Sequence, residues 1–540
     1  ASVSYGRHTV DGGLIRYVFV LADMYKSRVG TDRLASLREE LAVYGERERL
    51  DVIEPFTSDT FATIPAGTEA DVDAAFERAR VTQSTWAERS VEERAAVLSQ
   101  YADRVLDEQS ELLDIAQLET GKTRRDAFEE VLDVAQTANH YAKAGPALLE
   151  SERRRGALPG LTKATVHREP RGVVGIISPW NYPVTLAVSD ALPALLAGNT
   201  VVLKPAEETT HTALLARRLL VESGLPPEAL MVVPGTGETV GAALVDRADY
   251  VCFTGSTETG RLVAEQAGRA LIDCSLELGG KNPLLVLDDA DPETAARGAI
   301  RASFPNAGQL CISTERLYVH ESVYEPFRDA VVAATRNLEF GREFSFGADV
   351  GSLQSAAQLE KTERHVEDAV SKGADVLAGG RSRPDVGPFF YEPTVLENVT
   401  PDMTLFDEET FGPVVSLYPV QNVDEAVAAA NDSPYGLNAS VWAADPARGE
   451  RVAERLDCGT VNVNEGYAAT WASVDAPMGG MGDSGIGRRH GDEGLLKYTE
   501  SKTVAVQRGV RIGPGRLPVR LWARVMTGAV KLLGRLPRWL

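Results

Sequence analysis

Three residues of complementary chemistry stand out in the chain. They are Cys311 in Gly308-Gln309-Leu310-Cys311-Ile312-Ser313, Glu277 in Leu276-Glu277-Leu278-Gly279-Gly280-Lys281-Asn282-Pro283, and Asn181 in Ser178-Pro179-Trp180-Asn181-Tyr182-Pro183. A cysteine thiolate is a strong nucleophile even when little of it is ionised. A glutamate between two leucines and before two glycines is hard to read as a solvated charge, and burial would raise its pKa toward the value of a base working near neutrality. An asparagine amide can donate to an oxyanion. Each has an ordinary explanation alone, as a core cysteine or as a turn residue before Tyr182-Pro183. Together they are three chemically complementary groups that need one explanation.

Four further motifs follow in order: Lys204-Pro205-Ala206-Glu207, Phe253-Thr254-Gly255-Ser256-Thr257-Glu258-Thr259-Gly260, Glu409-Thr410-Phe411-Gly412-Pro413-Val414 and Gly459-Thr460-Val461-Asn462-Val463-Asn464. From about residue 55 to about residue 507 the set resembles the aldehyde dehydrogenase superfamily. The resemblance implies that Cys311 attacks an aldehyde to give a thiohemiacetal. It further implies that Asn181 and the Cys311 backbone N–H hold its oxyanion, and that Glu277 activates water against the later thioester. It also implies cofactor contacts at Pro179, Trp180, Lys204, Glu207, Gly235, Gly255, Ser256, Leu278, Glu409 and Phe411. A carboxylate at Glu207 accepts from ribose hydroxyls and repels a 2′-phosphate, which favours NAD, with NADP the alternative. No metal ligand set is expected.

The run from Ala476 through Gly485 and on to Ser501, with Leu310-Cys311-Ile312-Ser313, is similar to a branch of the family that oxidises succinate semialdehyde. That substrate carries a carboxylate, which an arginine or a hydroxyl cluster should meet. Better-known members of this specificity have a basic pair shortly after the catalytic Asn, whereas this chain has Ser189-Asp190. Thr470 and Ser473 are the stand-ins the late loop offers. Tyr182, Leu310, Ile312, Tyr467 and Trp471 would make an apolar entrance, so a fatty or aromatic aldehyde remains an alternative. Two rivals remain, a coenzyme A-acylating enzyme and a non-catalytic structural relative. The presence of all three of Cys311, Glu277 and Asn181 argues against the structural relative, and Glu277 argues against the acylating enzyme.

The elements that must position these residues follow from periodicity. Helices are expected at Leu34–Tyr44, with Thr31 as cap, and at Glu69–Ala87, Val91–Asp107 and Arg124–Leu149. Short apolar runs at Val173–Ile177, Thr200–Leu203, Ala229–Val233, Tyr250–Phe253 and Ala270–Leu276 alternate with helices, the rhythm of a parallel, Rossmann-type sheet. A second α/β alternation has strands at Leu284–Leu287, Arg316–Val319, Val414–Pro419 and Ala439–Ala443. The fold class is therefore α/β, with a Rossmann-type cofactor domain (51–150 and 171–279) and a second α/β catalytic domain (280–498). A small β arm (151–170 and 499–508) completes it and joins subunits into a homodimer or homotetramer, as the resemblance implies. Residues 1–50 form an N-terminal extension.

The chain has 540 residues and a formal net charge of −22, which argues against nucleic acid as a partner. Its four cysteines lack metal-ligand spacing and suit a reducing cytoplasm. No apolar run is long enough to span a membrane, and the Tyr17–Leu21 stretch is too short for a secretory signal. The tail, 509–540, differs. From Arg508 onward it holds seven Arg and one Lys with no acid, so it carries +8 and leaves −30 on the remainder. Trp522, Val525, Met526, Ala529 and Leu533 fall on one helical face, and Arg520, Arg524, Lys531 and Arg535 on the opposite one. Docking onto the chain's own acidic surface or a neighbouring subunit is the expected use. Peripheral membrane contact through residues 519–535 is the alternative.

Overall fold

The computed structural model describes residues 30–43, 45, 47–157, 161–509 and 512–535. The Tyr17–Leu21 stretch and Tyr44 lie outside the described residues. Two sheets carry the site. The first has the spatial order 485–486, 273–277, 250–254, 173–177, 200–204, 230–232, parallel except for its short first strand. In chain order the five parallel strands run 3-2-1-4-5, so the order reverses between Val173–Ile177 and Tyr250–Thr254. Ligands of such sheets bind at the carboxyl ends of strands at this reversal.

These strands form because Val173, Val174, Ile176, Val201, Val202 and Leu203 are β-branched or apolar and buried on both faces. One face is covered by helices that include Val91–Asp107 and Arg124–Leu148, which bring Tyr101, Val131 and Tyr141 into the core. A capping box of Ser90 and Glu93 starts the former helix.

The second sheet has the order 375–378, 394–397, 414–420, 314–320, 282–286, 438–442, 460–463, parallel except at its first strand. The first sheet's fifth strand ends at Glu277 and the second sheet begins at Asn282, with Leu278–Lys281 between them, and the chain later returns from Thr460–Val463 of the second sheet to Gly485–Ile486 of the first. A third sheet pairs Thr162–Pro170 with Glu152–Arg154 on one side and Thr499–Gln507 on the other. Its outer strand is exposed from Glu500 to Gln507.

Three expectations need correction. The first helix runs Thr31–Arg38, with Gly30 at the cap position and Thr31 already helical. It stops early because the chain turns so that Leu37 and Leu41 pack into the core while Glu40 pairs with Arg217 and Arg218. Ala270 ends a helix instead of opening a strand. Leu271 takes a left-handed cap (φ 58°), and the strand is Asp273–Glu277. The tail helix, Val519–Leu533, does not dock on the chain's own surface. None of its described side chains is buried, and Val525 and Leu532 are 55% and 63% exposed, because no apolar surface receives them.

Candidate active site

The strands of the first sheet deliver two of the three chemical groups. Val173–Ile177 runs into Ser178-Pro179-Trp180-Asn181 at the reversal point, and the neighbouring Tyr250–Thr254 runs into Gly255-Ser256. Glu277 is the last residue of the next strand, and its carbonyl accepts from the Gly255 N–H at 3.0 Å. The second sheet delivers the third group, because Cys311 precedes the Thr314–His320 strand.

The chain reaches Cys311 through a tight turn. Asn306 (φ 50°) and Ala307 (φ 53°) are both left-handed, a conformation costly for residues with a Cβ. Side-chain hydrogen bonds hold it. Asn306 Nδ2 donates to the carbonyls of Asn181 (3.0 Å) and Gln309 (3.2 Å), and Gln309 Nε2 returns a bond to the Asn306 carbonyl at 2.9 Å. Gly308 (φ 74°) is required, since a Cβ there would lie 2.2 Å from the Gly412 carbonyl oxygen. Beyond the turn, Asn282 Nδ2 donates to the carbonyls of Cys311 and Ser313, each at 2.7 Å.

Asn181 is buried and anchored from both ends. Its carbonyl accepts from Lys122 Nζ at 2.7 Å, and its Nδ2 donates to the Gln309 carbonyl at 3.1 Å. An amide nitrogen carries two protons, so one remains for an oxyanion. Lys122 pairs with Glu130 at 2.5 Å, and both are fully buried. Glu130 in turn accepts from the Val184 and Thr185 N–H groups that open the next helix.

Glu277 is buried, and its Oε1 has no hydrogen-bond partner among the described residues. Burial raises its pKa to about 7, against the opposing charges of Arg489 and Lys497. Those charges belong to a cluster behind the strand. Asp190 lies 3.0 Å from Lys497 Nζ, 3.3 Å from Arg489 and 3.0 Å from the Tyr498 hydroxyl. Burial would raise the Asp190 pKa, but the two cations outweigh it and hold the carboxyl well below the usual range. Lys497 also donates to Ser275, which shares a strand face with Glu277. The Cys311 thiol is pushed up to about 12 by burial and by the charges of Glu409 and Glu277.

The expected cofactor residues surround this centre. Lys204 ends its strand and pairs at 3.1 Å with the half-buried Glu207. Ser256 caps the Thr257–Ala270 helix, whose N-terminus suits a pyrophosphate. Glu409 accepts from the Gly280 N–H at 2.8 Å, and burial raises its pKa to about 7. The rings of Trp180 and Phe411 meet edge to face at 5.6 Å, and the side chain of Leu278 packs where Gly260 has no Cβ. Pro179 stands between Ser178 and Trp180 at the end of its strand. Gly235 (φ 144°) meets a steric demand, because a Cβ there would lie 2.5 Å from Val240 Cγ2. A helix N-terminus, a partly exposed acid at a strand end and an unpartnered Glu277 oxygen together fit a dinucleotide.

Tyr182, Leu310, Ile312, Tyr467 and Trp471 do pack together around Cys311. The Thr470 and Ser473 hydroxyls are both engaged within the chain. Thr470 Oγ1 is used between Asn462 Nδ2 and the Tyr467 carbonyl, and Ser473 Oγ donates to the Ala469 carbonyl. The sequence reading missed Lys122, Glu130, Asp190, Arg489 and Lys497. Glu130 alone left a local signal, as a charge falling on the helix stripe of Ala127, Val131 and Val134.

The profile of the aldehyde dehydrogenase family matches residues 43–504. The chain belongs to this family. A protein of Mycobacterium tuberculosis named as a candidate succinate-semialdehyde dehydrogenase [NADP(+)] 2 is 52% identical over 507 residues, covering 94% of this chain and 98% of that protein. Phenylacetaldehyde dehydrogenase of Pseudomonas fluorescens is 38% identical, covering 85% of this chain and 92% of that protein. The fold is similar to the crystal structure of succinate-semialdehyde dehydrogenase from Burkholderia pseudomallei (TM-score 0.82, 34% identity, 86% and 97% covered). It is also similar to betaine aldehyde dehydrogenase from Staphylococcus aureus in complex with NAD+ (TM-score 0.81, 31% identity, 88% and 98% covered).

Proposed function

We propose that the chain oxidises succinate semialdehyde to succinate with NAD or NADP, releasing the free acid. The observation that carries this reading is the buried, unpartnered Glu277 at the end of its strand, close enough to Cys311 for its charge to act on the thiol. The bound dinucleotide supplies the hydride acceptor, and Glu207, Ser256 and Glu409 would hold it.

The protein's own residues do the rest. Cys311 gives its proton to solvent, and its sulfur bonds to the aldehyde carbon. The carbonyl electron pair moves onto oxygen, where the free Asn181 amide proton and the Cys311 N–H meet it. Loss of hydride leaves a thioester on Cys311. Glu277 in its ionised form takes a proton from water while the water oxygen bonds to the thioester carbon. The carbon–sulfur bond then breaks, and acid and thiolate separate.

The aromatic entrance of Tyr182, Tyr467 and Trp471 supports a second reading, a fatty or aromatic aldehyde. Initial rates with succinate semialdehyde, hexanal and benzaldehyde decide between the two, and Cys311→Ala should abolish all three. Added coenzyme A should not stimulate the rate.

The exposed outer strand Thr499–Gln507 supports a homodimer or homotetramer, which sedimentation equilibrium measures. The exposed tail supports peripheral attachment of a cytoplasmic enzyme to an anionic membrane. No described helix is long and apolar enough to cross one. On the Val519–Leu533 helix, Arg520, Arg524 and Lys531 share an arc of about 40°, opposite the apolar residues. Each basic residue contributes about 1 kcal/mol near such a surface. Flotation with phosphatidylglycerol vesicles should retain the full chain and lose a chain ending at Gln507.

A further inference from the structure

Two cavities are candidates for the far end of the substrate. The larger, about 530 Å³, is bounded by Gln136, His140, Lys143 and Ala472–Ala476, and shares none of its lining with the cluster around Cys311. The smaller, about 400 Å³, is lined by Arg125, Glu129, Arg301, Phe304, Pro305 and Tyr467 among others. It is connected to the chemistry in two ways. Tyr467 belongs both to its wall and to the cluster around Cys311. Phe304 and Pro305 lead directly into the left-handed turn that ends at Cys311.

The charges of this cavity differ in their commitments. Arg125 pairs with Asp349 at 3.3 Å and also donates to its carbonyl. Glu129 accepts from the Tyr467 hydroxyl at 2.8 Å, and burial raises its pKa to about 7, so it is only partly ionised near neutrality. Arg301, in the last turn of the Pro292–Ser303 helix, makes no hydrogen bond or ion pair among the described residues. The groups that the sequence offers near Asn181 and in the late loop are already committed. Asp190 is acidic and satisfied by Arg489 and Lys497, Ser189 donates to Asp133, and the Thr470 and Ser473 hydroxyls are engaged.

We propose that Arg301 receives the carboxylate at the far end of the aldehyde substrate, in the place of the basic residues absent beside Asn181. The inference rests on the succinate semialdehyde reading and names the residue that makes that substrate recognisable. The aldehyde end lies at Cys311, the carbon chain passes the Tyr467 ring, and the carboxylate meets the guanidinium fork, which can bind both oxygens at once. Arg301 is exposed, so its substitution leaves the core intact.

The test compares succinate semialdehyde with butanal, which has the same four carbons without the carboxylate, at saturating cofactor on the full-length chain. The ratio of the two kcat/KM values cancels any loss of folded enzyme. In Arg301→Gln this ratio should fall about 10- to 100-fold, mainly through KM for succinate semialdehyde, since a hydrogen bond to a charged group is lost. Arg301→Lys should restore part of it, because an ammonium keeps the charge without the fork. A wild-type enzyme that prefers the semialdehyde, with a ratio that Arg301→Gln leaves intact, overturns the assignment of Arg301 alone. A wild-type enzyme with no preference over butanal overturns the substrate reading as well.

Discussion

The Asp190 carboxylate meets the Arg489 guanidinium at 3.3 Å in the buried wall behind Glu277. Arg489 is brought there by a backbone bridge, exchanging hydrogen bonds with Met478. The arrangement moderates the base. Burial raises the Glu277 pKa, Arg489 pulls it down, and the balance lies at about 7.

Arg489→Gln removes the first of the opposing charges, so the Glu277 pKa rises further. Glu277 works as a base only when ionised, so the acidic limb of the kcat–pH profile should move to higher pH. Activity should fall at pH 7 and recover toward pH 9. A limb that keeps its midpoint would show that Arg489 does not act on the base. Half of the Asp190 compensation is also lost, so the melting temperature should drop, with a broken buried pair costing about 3–5 kcal/mol.

Glu277→Gln leaves the nucleophile in place and removes the group that activates water. Rapid mixing should show a burst of reduced cofactor close to one equivalent, followed by slow turnover as the thioester persists. Absence of a burst with loss of single-turnover reduction would assign Glu277 to thiol activation instead.

Asn181→Ala deletes the free amide proton and the bond to the Gln309 carbonyl. A fall of about 10²–10³ in kcat is expected, the loss typical of one oxyanion donor. A change confined to KM would place Asn181 in substrate binding.

Glu207→Ser removes the carboxylate that repels a 2′-phosphate and frees Lys204 from its 3.1 Å pair. The kcat/KM ratio of NADP to NAD should therefore rise by tenfold or more. Wild-type use of both cofactors is compatible with Lys204 standing beside Glu207. An unchanged ratio would remove Glu207 from cofactor choice.

The sequence disclosed what is local. Val173–Ile177 and Tyr250–Phe253 were readable because burial on both faces leaves a continuous apolar run. Cys311, Glu277 and Asn181 were readable because each sits in a dense motif, and the structure sets all three at the ends of strands or just before one. Ala270–Leu276 misled because the apolar end of a helix continues across the left-handed Leu271 into the next strand. The Asp190–Arg489–Lys497 cluster and the Arg301 cavity left no local trace. Their members come from separate elements, and only packing brings their charges together.

The pairing of Gly485 with Glu277, backed by the Ser484 hydroxyl on the Gly279 carbonyl and the Leu278 N–H on the Ser484 carbonyl, has a consequence for synthesis. A ribosome exposes Cys311 long before it releases the segment that fixes the base. Domains emerge and fold from the N-terminus at about 5–20 residues per second, so the nucleophile waits many seconds without its partner. In the proposed mechanism the nascent cysteine therefore meets its base only after Gly485 has left the tunnel.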